Sequence, residues 1–178
     1  MPDWAIAYVQ RIEMLNYRIG RIAMYLLFVI MGILLWSSLT KVVRLPSLWT
    51  LEMAQFTLVA YYLLGAPYSM QLGANVRMDL MYARMPLRRQ ALCDIFTVFC
   101  LLFYLGVMLW GAIDSTIYSF SIGERAPSAW RPPLWPIKVI ITISFALMIL
   151  QAVAHLIRDI AIIRGIEIPM PFRGEVDR

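Results

Sequence analysis

Side chains suited to catalysis or metal binding are scarce in this sequence, which has one histidine and two cysteines among 178 residues. A single histidine excludes bis-histidine haem ligation and an HExxH zinc site within the chain. The GxSxG motif of serine hydrolases is absent, and Cys93 and Cys100 lie seven residues apart without CxxC spacing. We therefore expect no enzyme activity, no cofactor and no metal site.

The remaining candidates are polar groups inside or beside apolar runs. Glu52 lies near the start of one run, where a carboxylate either contacts another helix or subunit or favours a helix start near the membrane interface. Gln151, His155 and Asp159 recur at intervals of four residues, which places them on one stripe of a helix. This stripe predicts an interfacial polar cluster, and a proton relay is the alternative.

The segments of sequence that would position these polar groups are mostly apolar. The sequence is 61% hydrophobic and only 15% charged, whereas a soluble domain carries about 25% charged residues. Four runs are long enough to span a bilayer, at about residues 22–39, 48–72, 91–113 and 136–157. Backbone groups in lipid must pair internally, and continuous runs rather than alternation argue against a β-barrel. We expect an all-α membrane protein with four transmembrane helices.

The cations predict the orientation of these spans. With the N-terminus inside, the inner segments hold 11 Lys and Arg residues and the outer segments hold five. The positive-inside rule then places both termini in the cytoplasm. Five tryptophans fall at the predicted outer ends, as expected for an aromatic belt: Trp36, Trp49, Trp110, Trp130 and Trp135. Since the cations flank apolar runs, the net charge of +5 indicates membrane orientation rather than nucleic-acid binding.

Three parts of the chain follow from these spans. Residues 1–21 form a cytoplasmic or interfacial helix, residues 22–163 the four-helix transmembrane domain, and residues 164–178 a cytoplasmic tail. In the first part, Trp4, Tyr8, Ile12, Leu15 and Ile19 recur at helical spacing. This pattern predicts either an amphipathic helix on the inner leaflet or an extension of the first span.

The longest predicted outer connection runs from Asp114 to Pro136 and contains prolines and aromatic residues. Such a composition favours a stiff surface loop, which either docks an external protein or only joins two spans. Pro67 lies inside the second span and predicts a kink. With Gly65 beside it, the same position offers a small-residue patch that another helix can approach.

The order of several motifs resembles one family, the small DctQ-like membrane subunit of tripartite ATP-independent periplasmic (TRAP) transporters. The second span has Trp49 and Glu52 at its start and then Leu64-Gly65-Ala66. A basic element follows, Gly73-Ala74-Asn75-Val76-Arg77-Met78-Asp79, in which Asn75 replaces the usual histidine. The connection to the fourth span contains Ile122-Gly123-Glu124, Pro127, Trp130 and Lys138. The resemblance covers nearly the whole chain.

The resemblance implies a non-catalytic scaffold in the bacterial inner membrane, with several passes through it. In such transporters a large sodium-coupled permease subunit carries the substrate and moves like an elevator, and a periplasmic binding protein delivers an organic acid. We expect these two proteins and membrane lipid as partners, and no nucleic acid. The expected subunit interface contains Glu52, Gly65, Arg77 and Asp79. The expected docking residues on the periplasmic side are Glu124, Arg125 and Trp130.

A second hypothesis is a stand-alone proton-coupled exporter that acts as a small oligomer. Glu52 would then be the proton-carrying carboxylate. This hypothesis predicts transport by the chain without a larger partner.

Overall fold

The computed structural model describes residues 3–43, 47–72 and 87–163, with side chains described for residues 4–43, 47–72 and 96–161. Four helices make up this part: α1 Asp3–Val42, α2 Thr50–Gln71, α3 Leu87–Ile122 and α4 Trp135–Ile163. The described residues contain no β-strand, only an isolated antiparallel bridge between Arg125 and Pro133. The prediction of an all-α protein is confirmed.

Three of the helices are long and apolar enough to cross a membrane. The candidate spans lie within Trp4–Val42, Phe96–Ile122 and Trp135–Ala161. At 1.5 Å per residue, the 22 residues of α2 reach about 33 Å, so α2 is also long enough for the hydrocarbon core. Its most apolar stretch is less apolar than theirs, and α2 is not among these three candidates.

The helices form two antiparallel hairpins. Thr50 at the start of α2 donates a hydrogen bond to Ser37 near the end of α1, with 3.1 Å between the two hydroxyl oxygens. The hydroxyls of Thr116 on α3 and Thr142 on α4 lie 3.0 Å apart. Helix α4 packs against each of the other three helices and is therefore the centre of the bundle.

The buried faces consist mainly of small residues, and the large apolar side chains point outward. Ala5, Ala23, Ala152 and Ala154 are each at most 5% exposed, whereas the outward side chains include Phe28, Leu35, Phe99, Phe103 and Trp110. This distribution is typical of helices in lipid, where association depends on close packing because the lipid tails are as apolar as leucine.

One predicted boundary requires correction, and the N-terminal helix keeps both of its alternatives. In the predicted stripe Trp4 is 70% and Leu15 43% exposed, whereas Val9 and Asn16 on another side of the helix are buried. Helix α1 is continuous from Asp3 to Val42, which favours an extension of the first span, and the placement of residues 1–21 on the leaflet or in the span stays a prediction. Helix α3 continues to Ile122, nine residues beyond the predicted end of the third span.

The end of α3 is set by Gly123. Its φ of 60° lies in the left-handed region, which glycine adopts without strain. The backbone N–H of Glu124 then bonds to the carbonyl of Ser119 at 3.0 Å, as in a Schellman cap. The connection to α4 is therefore the short segment 123–134, which we call the α3–α4 loop. It replaces the predicted loop of Asp114–Pro136.

Candidate functional site

A buried polar cluster joins α1 and α4 near the N-terminus of the chain. Glu13 and Arg158 form an ion pair with 2.5 Å between Oε1 and Nη2, and their side chains are 4% and 13% exposed. Asn16 donates from Nδ2 to Oε1 of Gln151 at 2.7 Å, and both residues are almost completely buried. We call these four residues, together with His155, the polar cluster.

His155 extends the polar cluster to α2. Its Nε2 atom lies 3.0 Å from the carbonyl oxygen of Met70. A carbonyl oxygen only accepts, so Nε2 is the donor in this hydrogen bond. The polar cluster thus ties the N-terminal part of α1 to the C-terminal ends of α2 and α4. This contact network supports the prediction of a polar cluster around Gln151 and His155.

We did not predict from the sequence that Glu13, Asn16 and Arg158 belong to this cluster. One signal was available in the spacing of Val9, Glu13, Asn16 and Gly20, which places small and polar residues along one side of α1. In a helix of a membrane bundle such a side packs against protein, because polar groups in the bilayer face the bundle interior.

At the opposite end of the bundle, Glu124 and Lys138 fix the α3–α4 loop. The Nζ atom of Lys138 donates to Oε2 of Glu124 at 2.6 Å. This hydrogen bond is the main cause that holds the pKa of Glu124 below its ordinary value. Two backbone bonds, Leu134 N–H to Glu124 O and Ala126 N–H to Pro132 O, are each 3.0 Å long. The loop therefore has a defined conformation.

The predicted docking residues differ in their surroundings. Arg125 and Trp130 are exposed, and Arg131 beside them is also exposed with a φ of 49°. Glu124 instead pairs with Lys138. The structure therefore gives Glu124 a role within the loop, and it leaves two arginines and an indole on the loop surface.

Among the predicted interface residues, Glu52 and Gly65 both lie on α2, whereas Arg77 and Asp79 lie outside the described residues. Glu52 is half-buried, and its Oε2 atom is buried without a hydrogen-bond partner in the described part of the chain. Gly65 has open space where a Cβ atom would lie, with no atom within 4 Å. The structure does not bring these two residues together, since 13 residues of helix separate them by about 20 Å.

Gly65 lines a cavity of about 590 Å³ between α1 and α2, which we call the α1–α2 groove. Alanines 23 and 66 lie beside Gly65 in its lining, and Tyr17 and Arg21 lie at one end. Helices α1 and α2 approach closely beside it, because a Cβ atom on Gly20 would lie 2.5 Å from Cβ and Cγ of Tyr68. Across residues 3–43, 47–72 and 87–163 no group of three or more His, Cys, Asp or Glu side chains is placed to hold a metal ion.

These contacts describe a packed helical bundle with a stiff loop. Comparison with known protein families agrees with this architecture. The family described as tripartite ATP-independent periplasmic transporters, DctQ component, matches residues 30–162, which is well over half of the chain. The chain belongs to the DctQ family. This DctQ chain is therefore a multi-pass inner-membrane protein of a transporter family, and that family membership is consistent with the expected lack of enzyme activity.

A curated relative of this DctQ chain is the isethionate TRAP transporter permease protein DctMQ of Oleidesulfovibrio alaskensis. The two are 26% identical over 115 residues, which cover 65% of this chain and 17% of the relative. The DctQ chain thus matches about a sixth of that protein's length. No solved structure matches the chain.

Proposed function

We propose that this chain is the small permease subunit of a TRAP transporter and acts as a scaffold for a large sodium-coupled elevator subunit. The match of the DctQ family to residues 30–162 is the observation that carries this proposal. The relative DctMQ supports it, because this chain matches only 17% of that permease. A separate, larger protein would then supply the counterpart of the remaining length of DctMQ.

The proposed topology has four transmembrane helices with both termini in the cytoplasm. The N-terminal part of α1 and the C-terminal ends of α2 and α4 lie together through the polar cluster, which supports an even number of crossings. Arg21 and Lys41 are about 30 Å apart along α1, the thickness of a hydrocarbon core. The excess of cations at the polar-cluster end favours the cytoplasm for that end.

The proposed seam with the large subunit includes Glu52, Gly65, Arg77 and Asp79. Helix α2 suits this position because its most apolar stretch is less apolar than those of the other three helices, and polar groups in a bilayer face protein rather than lipid. The Oε2 atom of Glu52 points into the chain, so the Oε1 atom is the one that would meet a donor of the large subunit.

The proposed substrate is an organic acid, delivered by a periplasmic binding protein. Isethionate, the substrate in the name of the relative DctMQ, is itself an organic acid, which supports this class. The exposed side chains of Arg125 and Trp130 on the α3–α4 loop would contact the binding protein. A positive loop surface favours an acidic face on that partner.

The seam can be tested by affinity purification of tagged variants together with the large subunit. We expect Glu52→Gln to lower recovery of the large subunit, while Asp114→Asn, the same removal of a charge at an exposed position on α3, leaves it unchanged. Membrane insertion is checked separately by the yield of the tagged chain. Equal recovery with both variants would remove Glu52 from the seam.

The alternative, a stand-alone proton-coupled exporter with Glu52 as the proton carrier, gains no support from the DctQ family. Transport by proteoliposomes that contain this chain alone would support the exporter hypothesis. The scaffold proposal predicts no transport by such proteoliposomes.

A further inference from the structure

We propose that the polar cluster is a binding site for water, which bridges α1 to α4. Four side chains of the cluster each have a buried polar atom that finds no hydrogen-bond partner in the described part of the chain: Oε2 of Glu13, Oδ1 of Asn16, Nε2 of Gln151 and Nε of Arg158. The site lies within the chain itself. It therefore depends neither on the orientation in the membrane nor on a partner subunit.

Burial makes these four atoms unfavourable to leave unpaired. Glu13 is 3%, Asn16 1% and Gln151 0% exposed, and the side chain of Arg158 is 13% exposed. Buried polar groups in native proteins are nearly always hydrogen-bonded to protein or to ordered water. Each of the four side chains makes one contact within the cluster, which uses only part of its hydrogen-bonding capacity. The remaining atoms therefore require a ligand with donors and acceptors of its own.

The unpaired atoms form a balanced set of two acceptors and two donors. Oε2 of Glu13 and Oδ1 of Asn16 accept hydrogen bonds, whereas Nε2 of Gln151 and Nε of Arg158 donate them. Water does both, and a buried water molecule typically makes about three hydrogen bonds. If both amides are turned by half a turn, their nitrogen and oxygen atoms exchange places, and one donor and one acceptor are still unpaired.

The charges of the cluster disfavour an ion as the ligand. A cation at the carboxylate of Glu13 would also meet the guanidinium of Arg158, which lies 2.5 Å from that carboxylate. An anion at the guanidinium would meet the carboxylate in the same way. A buried ion requires an excess of the opposite charge around it, and this ion pair provides none. A neutral ligand therefore fits the site.

Covalent geometry limits the distances that water must bridge. Nδ2 of Asn16 and Oε1 of Gln151 are 2.7 Å apart, so the unpaired atoms of these two amides are at most about 7 Å apart. The same limit holds for Oε2 of Glu13 and Nε of Arg158, because the paired atoms of these residues are 2.5 Å apart. One water molecule joins atoms up to about 5.6 Å apart, and two in series join atoms up to about 8 Å apart. One or two water molecules thus suffice for each pair.

The two pairs belong to one site along the contact of α1 with α4. Glu13 and Asn16 are three residues apart, which places them on one side of α1. Gln151 and Arg158 are seven residues apart, which is about two turns and returns to the same side of α4. Both contacts connect these two sides. The unpaired atoms therefore lie at successive levels of one interface.

The proposal is tested by solution NMR of the purified full chain in detergent, with isotope-labelled glutamine and arginine side chains. Cross-peaks between water and an N–H group have opposite signs in NOE and ROE spectra when the water stays bound. Proton exchange and mobile water give equal signs. We expect opposite signs at Nε2 of Gln151 and at Nε of Arg158. Gln10 and Arg18 are exposed on α1 and serve as internal controls, which should show no such difference in sign.

A double variant tests whether the amides hold the water. Asn16→Leu with Gln151→Met replaces both amides by apolar side chains of similar size, which is tolerated because neither polar partner is left behind. Since two of the four atoms that bind water are then absent, the water signal at Nε of Arg158 should fall by about twofold or more. Gln10→Met makes a matching change at an exposed position and should leave that signal unchanged. Both variants should retain the helix content and yield of the parent chain.

Three results would overturn the proposal. Equal signs at Gln151 and Arg158 in the parent chain would show that no water stays bound, and this result does not depend on any variant. An unchanged signal at Arg158 in the double variant would show that the amides do not hold the water. A shift of the Gln151 and Arg158 resonances when sodium chloride replaces choline chloride would show that a sodium ion occupies the site.

Discussion

The guanidinium of Arg158 on α4 lies 2.5 Å from the carboxylate of Glu13 on α1, and both side chains are largely buried. These residues are 145 positions apart in the sequence, so the pair connects the two ends of the chain. Beside it, Asn16 and Gln151 make a second contact between the same helices. The polar cluster therefore determines how α1 is positioned against the central helix.

Loss of either partner should destabilise the bundle strongly. We expect Glu13→Ala or Arg158→Ala to lower the free energy of unfolding by about 3–5 kcal/mol, because each leaves a buried charge without its counterion. The double variant Glu13→Leu with Arg158→Met should recover most of this loss. Denaturant unfolding of the purified chain in detergent measures the effect, with Arg18→Ala as an exposed control. Single variants as stable as the control would contradict a structural role for the pair.

The close contact of α1 with α2 requires glycine at position 20. Gly20→Ala should destabilise the bundle by about 1–3 kcal/mol, because the new Cβ atom would lie 2.5 Å from Tyr68. Gly32→Ala is the matched control on the same helix and meets no atom within 4 Å. It should be neutral or stabilise by up to about 1 kcal/mol, the difference in helix propensity. Thermal unfolding in one detergent compares the two variants, and equal effects would refute the close approach.

The ion pair of the α3–α4 loop should make stability depend on acidic pH. The pKa of Glu124 is lowered in the folded chain from an ordinary value of 4.5. Its contribution is therefore present above that ordinary value and is lost as the pH falls through the lowered pKa. Glu124→Gln and Lys138→Met should each flatten the dependence of the thermal midpoint on pH below about 4.5. If the thermal midpoint of both variants depends on pH as it does in the parent chain, the Glu124–Lys138 pair does not contribute to stability in this way.

Single cysteines in a cysteine-free background test the four-span topology. A membrane-impermeant maleimide added to intact cells should label Val43→Cys and Ala129→Cys and should not label Leu72→Cys. All three positions are exposed in the structure, so burial does not confound the comparison. Labelling of Leu72→Cys together with Val43→Cys would show that α2 does not cross the membrane.

The sequence predicted the helices better than their contacts. The bounds predicted for the second span, 48–72, agree with α2 to within two residues, because continuous apolar character and flanking polar residues mark a helix in lipid. The end of α3 was placed too early, since Asp114 and the serines after it resemble a loop. The helix ends where Gly123 permits a left-handed backbone.

The candidate site was predictable only in part. Gln151 and His155 were found through their spacing, yet their partners Asn16 and Met70 come from other helices, and spacing within one helix does not report such contacts. The apolar stripe of residues 4–19 did not indicate which side of α1 packs on protein, because in lipid the packed face is marked by small and polar residues. The pairing of Glu124 with Lys138 was not predicted because it depends on the loop conformation, and the docking role of Glu124 stays a prediction.

The central claim is that this DctQ chain acts as a scaffold for a larger membrane protein. The most direct measurement is the mass of the complex recovered with the tagged chain from its native membrane in mild detergent, with identification of each component. We expect a one-to-one complex with a much larger multi-span protein. Recovery of the 20.5 kDa chain alone, or only with copies of itself, would contradict a scaffold role.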